Sequence, residues 1–344
     1  MAVAVVLVFS KLEEVGVSSI STELDDFYQK IGIAKDRFVC KNAEFCGEVC
    51  SNGGQRRIGP FGSSIGGKYR RSRYKSEGVP GLVFLSQGPV ISDDELKCAE
   101  DTNKDISKSA KDHDDFMNCP AHQESVNNPH WRSTKDHGLS ILAANGLPSI
   151  TREVVAQHIC NVNSVKCRTS ASRTKDPDKG LFGYCQEHII SELEELEPDI
   201  IVAQGNRAWD VLLRGAQDNK FNFLNRWPIS LAVEHDASHD KQSLDDVSYE
   251  LDLSSVASQN TRWNLSAQLE TKKSEVVILR FNNKPGKTCL CLWTHHSSYG
   301  HHNRKISSRG VTLANGDVPS HKDFNIDIHP LIVKLYLDLL ARSA

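Results

Sequence analysis

Ser191-Glu-Leu-Glu-Glu-Leu-Glu-Pro-Asp-Ile-Ile-Val-Ala-Gln-Gly-Asn-Arg-Ala208 contains the end of a helix, its stop, a strand and the start of the next helix. Leu193 and Leu196 recur at helical spacing among glutamates, closing an amphipathic helix that the pattern starts near Lys179. Pro198 ends it, because the residue before a proline is pushed out of the α region. Asp199 to Ala203 then runs without a polar residue after the first, as a strand covered on both faces does. Gly205 breaks the run, and Asn206 to Leu213 opens another helix.

The same reading extends outward to Leu82–Leu85, His158–Val162 and Thr288–Trp293, which are apolar runs of strand length. Helical patterns separate them, including Gly138 to Leu147, and Leu331 to Arg342 supplies a last helix. Strand alternating with helix predicts a three-layer α/β/α sandwich around a central four-stranded parallel sheet. In such folds ligands bind at the carboxyl ends of the strands. Two polar stretches, at about 93–136 and 233–275, read as insertions into one domain spanning 1–344.

Composition narrows the function less than the pattern does. With 39% apolar residues the chain can bury a large core, and its net charge of −3 gives no long-range attraction to phosphate. Local charge differs. Lys68-Tyr-Arg-Arg-Ser-Arg-Tyr-Lys75 places five cations and two tyrosines in eight residues, and Arg304, Lys305 and Arg309 follow a histidine-rich stretch. A solvated surface explains either cluster as well as phosphate contact does. Near strand ends, Lys68, Arg70, Arg71, Arg73, Arg304 and Lys305 become expected DNA contacts.

Met1 to Phe9 is apolar like a signal-peptide core, but has no basic flank or small-residue cleavage site, and is too short to span a bilayer. The expectation is a cytoplasmic protein without membrane association. Nothing in the sequence calls for an obligatory protein partner. Ten cysteines without an export signal point to metal ligands and buried thiols rather than disulfides. Cys289 and Cys291, alternating on an apolar strand, read as core thiols.

Four segments in order resemble the uracil-DNA glycosylase superfamily, especially its iron–sulfur branch. Ser86-Gln87-Gly88-Pro89 stands where that family has Gly-Glu-Ala-Pro-Gly after a strand. Asn163-Ser-Val-Lys-Cys-Arg-Thr-Ser170 matches its Asn-Val-Val-Lys-Cys-Arg-Pro-Pro, and Pro198 to Ala208 matches a third segment. His295-His296-Ser297 takes the place of its His-Pro-Ser.

The resemblance implies a 4Fe-4S cluster held by Cys46, Cys50, Cys167 and Cys185, which staples a segment at about 36–60 to the sheet. Cys40 is a spare ligand, and a zinc site is the alternative. The implied activity is that of a monofunctional DNA glycosylase, which swings a pyrimidine nucleotide out of the duplex and hydrolyses its N-glycosidic bond. Asn163 would read the base edge, since one amide both donates and accepts. His295, or else His296, would stabilise charge on the departing base. Gln87 would orient water, Gly88 and Pro89 would border the base, and Ser297 and Tyr299 would meet DNA.

Trp131, in Pro129-His130-Trp131 where the family has Pro-Phe, is the candidate stacking platform, with a core tryptophan as the alternative. Uracil is the default substrate. The altered Glu and Pro of the two signature loops, the small Gly88 and the insertions instead suggest a modified base, such as a 5-substituted cytosine of the kind phages carry, removed in antiviral defence. A DNA-binding protein that traps a base without turnover is the other class of reading.

Overall fold

In a computed structural model the described residues are 23–32, 40–42, 44–46, 57–60, 63–86, 90–91, 129–170, 179–228, 263–265, 275–284, 286–295, 311–313, 317 and 320–342. Residues 23–30 form helix α1. Strands β1 (Arg57–Pro60) and β2 (Ser64–Ile65), helix α2 (Arg73–Glu77), and strands β3 (Leu82–Ser86) and β4 (Val90–Ile91) follow. Then come α3 (Pro129–Ala144), β5 (Ile159–Asn163), β6 (Cys167–Ser170), α4 (Lys179–Leu196), β7 (Ile200–Gln204) and α5 (Asn206–Gln217). The remainder is β8 (Phe221–Pro228), β9 (Trp263–Leu265), β10 (Glu275–Phe281), β11 (Thr288–Thr294), β12 (Val311–Leu313), α6 (His321–Asp327) and α7 (His329–Arg342).

The main sheet has the order β2-β5-β3-β7-β11-β10-β8. Its centre, β5-β3-β7-β11, is parallel throughout, and these are the four strands expected from the apolar runs. Antiparallel β2 extends one side, and β10 and β8 extend the other, giving seven strands.

Continuous apolar runs are needed here because both faces are covered. Val83, Leu85, Val162, Ile201 and Cys291 pack with Ile189 and Leu193 of α4, and with Trp209 and Leu212 of α5. Their neighbours Leu82, Phe84, Ile159, Val202 and Leu292 point the other way, onto Ile141 of α3 and Ile332 and Tyr336 of α7. Helices on both faces make the three layers. Cys289 and Cys291 are buried free thiols, as expected, and burial holds the Cys291 thiol well above its usual pKa.

The amino edge of the sheet is tied by Asp199. Its carboxylate accepts from Gly81 N at 2.8 Å, Tyr74 N at 3.1 Å and Lys287 Nζ at 2.9 Å. Beside it, Arg73 donates to Nδ1 of buried His158 at 3.0 Å. Burial, then the positive charge of Arg73, lowers the His158 pKa to about 4. The unfolded chain therefore takes up a proton first as pH falls. The contribution of a neutral His158 to stability is fully present above about pH 6.5 and is lost as pH drops towards about 4. Thermal midpoints at about pH 7.5 and about pH 4.5 should show this loss in the wild type and a smaller loss in His158→Gln.

One bound of the insertions changes: residues 129–136 belong to α3. Strand β9 and the start of β10 lie within the second polar stretch. Among the described residues no helix is long and apolar enough to cross a membrane.

Candidate active site

Each central strand ends on a polar residue, and register aligns those ends. Ser86 pairs with Asn163, Gln204 pairs with Thr294, and Leu85 opposite Ala203 brings Ser86 beside Gln204. The row Asn163, Ser86, Gln204, Thr294 therefore crosses the carboxyl edge on the face covered by α3 and α7. Of its members, Gln204 is the one to which sequence reading gave no role.

Beneath the row is a compact hydrogen-bond network. Ser86 Oγ lies 2.8 Å from Asn161 Oδ1 and 2.7 Å from Gln204 Oε1, and Gln204 Nε2 lies 2.9 Å from Thr134 Oγ1 of α3. One hydroxyl proton serves one acceptor. A half-turn of the Gln204 amide lets it donate to Ser86 while accepting from Thr134, leaving the Ser86 proton for Asn161. The Ser86 carbonyl accepts from both N and Oγ of Ser164, at 2.8 and 2.5 Å. The strand end that leads into Gln87 is thus bonded directly to the turn that follows Asn163.

His295 leaves β11 at the same edge. Its half-buried ring meets Trp293 edge-on at 4.6 Å between centroids and His321 at 4.1 Å. The preceding residue is pinned on two sides. Gly205 N donates to Thr294 O at 2.7 Å, and Asn325 of α6 donates to Thr294 Oγ1. The first turn of α6 is itself fixed, since Ser320 Oγ accepts from Asp323 N and the Asp323 carboxylate accepts from Ser320 N.

Helix α3 reaches this edge with its first turn. Trp131 there is 3% exposed, so its ring is buried in the protein rather than open as the expected platform for a base to stack on. His130 is half-buried, with Nε2 3.5 Å from Ser86 Oγ and its ring edge-on to Trp131 at 6.2 Å. Of the two rings, His130 is the one directed at the polar row.

Of the four cysteines expected to hold a cluster, the structure describes the side chains of two. Cys46 and Cys185 are both buried and belong to one apolar cluster. The peptide N–H of Lys166 donates to Cys185 Sγ at 3.4 Å, which places the backbone beside Cys167 against that sulfur. Strand β6 pairs with β1 so that Pro60 faces Cys167, and β6 also pairs with β4. This small sheet joins the segment after Cys50, the segment at Cys167 and the segment after Pro89. The phenyl ring of Phe45 stacks on Tyr184 at 5.8 Å, and Asn42 donates to Tyr184 O, holding the N-terminal segment on α4. Cys40 instead lies 3.7 Å from His188 Nε2. Buried thiols with an amide donor to sulfur suit a thiolate cluster. Among the described residues no three metal-ligating side chains are gathered.

One pair that the sequence did not announce lies under this arm. Lys166 and Glu192 form an ion pair with side chains 1% and 0% exposed. Lys166 also donates to Ser63 Oγ at 3.0 Å, Tyr28 OH donates to Glu192, and Ser63 N donates to Tyr28 OH at 2.9 Å. Burial, and then the charge of Glu192, raise the Tyr28 phenol well above its usual pKa.

The basic cluster is not near the site. Lys68 N donates to Gln157 O and Ser72 N donates to Glu197 O, which places Lys68, Arg70, Arg71 and Arg73 at the amino edge, opposite Asn163 and His295. Their charges are also engaged. Arg71 pairs with Glu23 and Glu195, Arg73 pairs with Glu77, and Arg70 caps the carbonyls of Gly67 and Tyr69. Only Lys68 in this group is fully on the surface. The expectation that these residues flank the site is corrected accordingly.

Gln87, Gly88, Pro89, His296, Ser297, Tyr299, Arg304, Lys305 and Cys50 lie outside the described residues, as does the Cys167 side chain. No protein-family model matches this chain, and no curated protein matches its sequence.

Proposed function

We propose that the chain is a DNA glycosylase that hydrolyses the N-glycosidic bond of a pyrimidine nucleotide turned out of DNA. The observation that carries this reading is that Asn163, Ser86 and His295 all stand at the carboxyl edge of the four central parallel strands, Asn163 and Ser86 paired and His295 following the strand two places from that of Ser86. An amide that can match a base edge then shares this sheet edge with an imidazole that can stabilise the departing base. Gln87, one residue past Ser86, orients the attacking water. The charge that builds on the base oxygen is met by a hydrogen bond from His295.

Cys46, Cys50, Cys167 and Cys185 would hold a 4Fe-4S cluster, with zinc as the alternative. Bound there, the cluster supplies a structural clamp between the N-terminal segment and β6. Phosphate contacts fall to the segment carrying Ser297, Tyr299, Arg304 and Lys305. Both insertions support a substrate larger than uracil, because they leave and return at this edge. Residues 92–128 lead into His130, and the second lies between the ends of β8 and β10 next to Leu292. A 5-substituted cytosine in phage DNA is the substrate we favour, with uracil as the default.

Duplexes containing uracil, unmodified cytosine or a 5-substituted cytosine, incubated with the protein and then cleaved with alkali, test the reading. Breaks at the modified cytosine are expected, with free base released in molar excess over protein. Breaks only in the uracil strand remove the modified substrate. No breaks in any duplex, or release below stoichiometry with a denaturation-resistant adduct, removes the glycosylase. The same preparation should be brown, and Cys167→Ala should lose that colour.

A further inference from the structure

The ring of His295 stands where the two faces of the sheet meet at its carboxyl edge, with one neighbouring ring from each. Trp293, edge-on to it at 4.6 Å between centroids and 68° between planes, belongs to the apolar cluster under α4 and α5. His321, at 4.1 Å and 74°, opens α6. Phe324 and Ile328 seat that helix in the cluster on the opposite face. His295 lies one residue past the register pair of Thr294 with Gln204, so its side-chain torsions are set by what packs on the ring.

Helix α6 is built to present its first residue there. His321 and Asn325 are one turn apart, which puts both side chains on the same face of the helix. Asn325, 3% exposed, donates to Thr294 Oγ1, while His321 meets the ring of the very next residue. One helix therefore grips two consecutive residues at the end of β11. Its own start is fixed by the reciprocal bonds between Ser320 and Asp323, directly on either side of His321 and Lys322. The position of His321 is thus determined by contacts that do not involve His295.

We infer that His321 is a positioning residue for the proposed base release: it holds the His295 imidazole in one orientation, so that its hydrogen bond to the departing base is aimed before charge develops. The inference rests on the glycosylase reading. A preorganised donor lowers the barrier because it does not have to turn as the anion forms. Without His321, Trp293 confines the ring from one side only, and the ring swings into the space left beside α6. A displacement on the order of 1 Å is enough to cost about a hundredfold in rate. His321 itself touches no reacting atom in this role, and no proton passes through it.

Steady-state base release from whichever duplex the wild type cleaves provides the test. His321→Ala should lower kcat about ten- to a hundredfold and leave KM and the thermal midpoint near the wild-type values. His321→Phe, which keeps a flat ring able to pack edge-on, should stay within about threefold of the wild type. His321→Leu fills the space without such a ring; it should be as slow as His321→Ala, and it decides the matter if the alanine variant does not fold. The double variant His295→Ala/His321→Ala should be no more than about twofold slower than His295→Ala, because a residue acting through another adds little once that other is gone. Wild-type kcat in His321→Ala or His321→Leu overturns the role. So does a loss carried by KM, a His321→Phe as slow as His321→Ala, or a full second loss on top of His295→Ala. If the wild type releases no base from any duplex, the glycosylase reading fails and takes the role with it. Release by the wild type with His321→Ala unaffected removes the role alone.

Discussion

Replacing Lys166 by Met should lower stability by about 3–5 kcal/mol, because it leaves Glu192 charged and without its counter-ion inside the protein. The two side chains are 1% and 0% exposed, so water cannot take the place of the lost ammonium. Tyr28 remains to donate to Glu192, but a neutral phenol offsets only part of a buried charge. Urea unfolding followed by fluorescence measures the change. The double variant Lys166→Met/Glu192→Leu should recover most of it, since a buried ion pair and a well-packed apolar pair are often close in stability. A single-variant loss below about 1 kcal/mol would mean that the pair is solvated in solution. The pair also has a local effect: Lys166 lies three residues after Asn163, and its ammonium ties that turn to α4 and, through Ser63 and Tyr28, to α1. On the proposed glycosylase reading, destabilisation here should therefore appear as slower base release before it appears as global unfolding.

His295→Ala should reduce kcat for base release by about 10²–10³-fold with a small change in KM, as loss of one preorganised donor to a developing anion does. The side chain reaches its position through a chain of contacts: Asn325 and Gly205 hold Thr294, and Trp293 and His321 flank the ring. On the proposed reading that support holds the donor in place before substrate arrives, so it needs no reorganisation as charge develops. Steady-state kinetics on the cleaved duplex, with His296→Ala in parallel, checks the assignment. If His296→Ala shows the large loss and His295→Ala does not, the role moves one residue along.

The parallel centre of the fold could be read from sequence because both of its faces are buried. Ile200 to Ala203 and Cys289 to Trp293 must be apolar on every side, and such runs stand out. The outer strands did not stand out. Phe-Asn-Phe-Leu-Asn-Arg-Trp-Pro over β8 mixes polar and apolar residues, as an edge strand with a register shift against β10 can. Gln204 was passed over for another reason. A polar residue closing an apolar run looks like the end of the run, and the row it joins exists only once strands far apart in sequence are set in register. The basic cluster misled through distance along a strand. It lies close to β3 in sequence, but at the amino end, and five residues of strand separate it from Ser86 by about 17 Å. His130 was visible only as a neighbour of Trp131. Its proximity to Ser86 depends on the direction in which α3 crosses the sheet.

The two-stranded ladder of β9 and β12 bears on how this site could diversify. Trp263–Leu265 comes from the second insertion and Val311–Leu313 from the segment beyond His295, and each satisfies the other's backbone groups. Exchange of residues 233–275 alone would leave the peptide groups of β12 without partners, and the histidine segment would lose its anchor. The second insertion and the stretch around β12 therefore form one unit: a change that removes the strand from either leaves the other's peptide groups to be satisfied elsewhere.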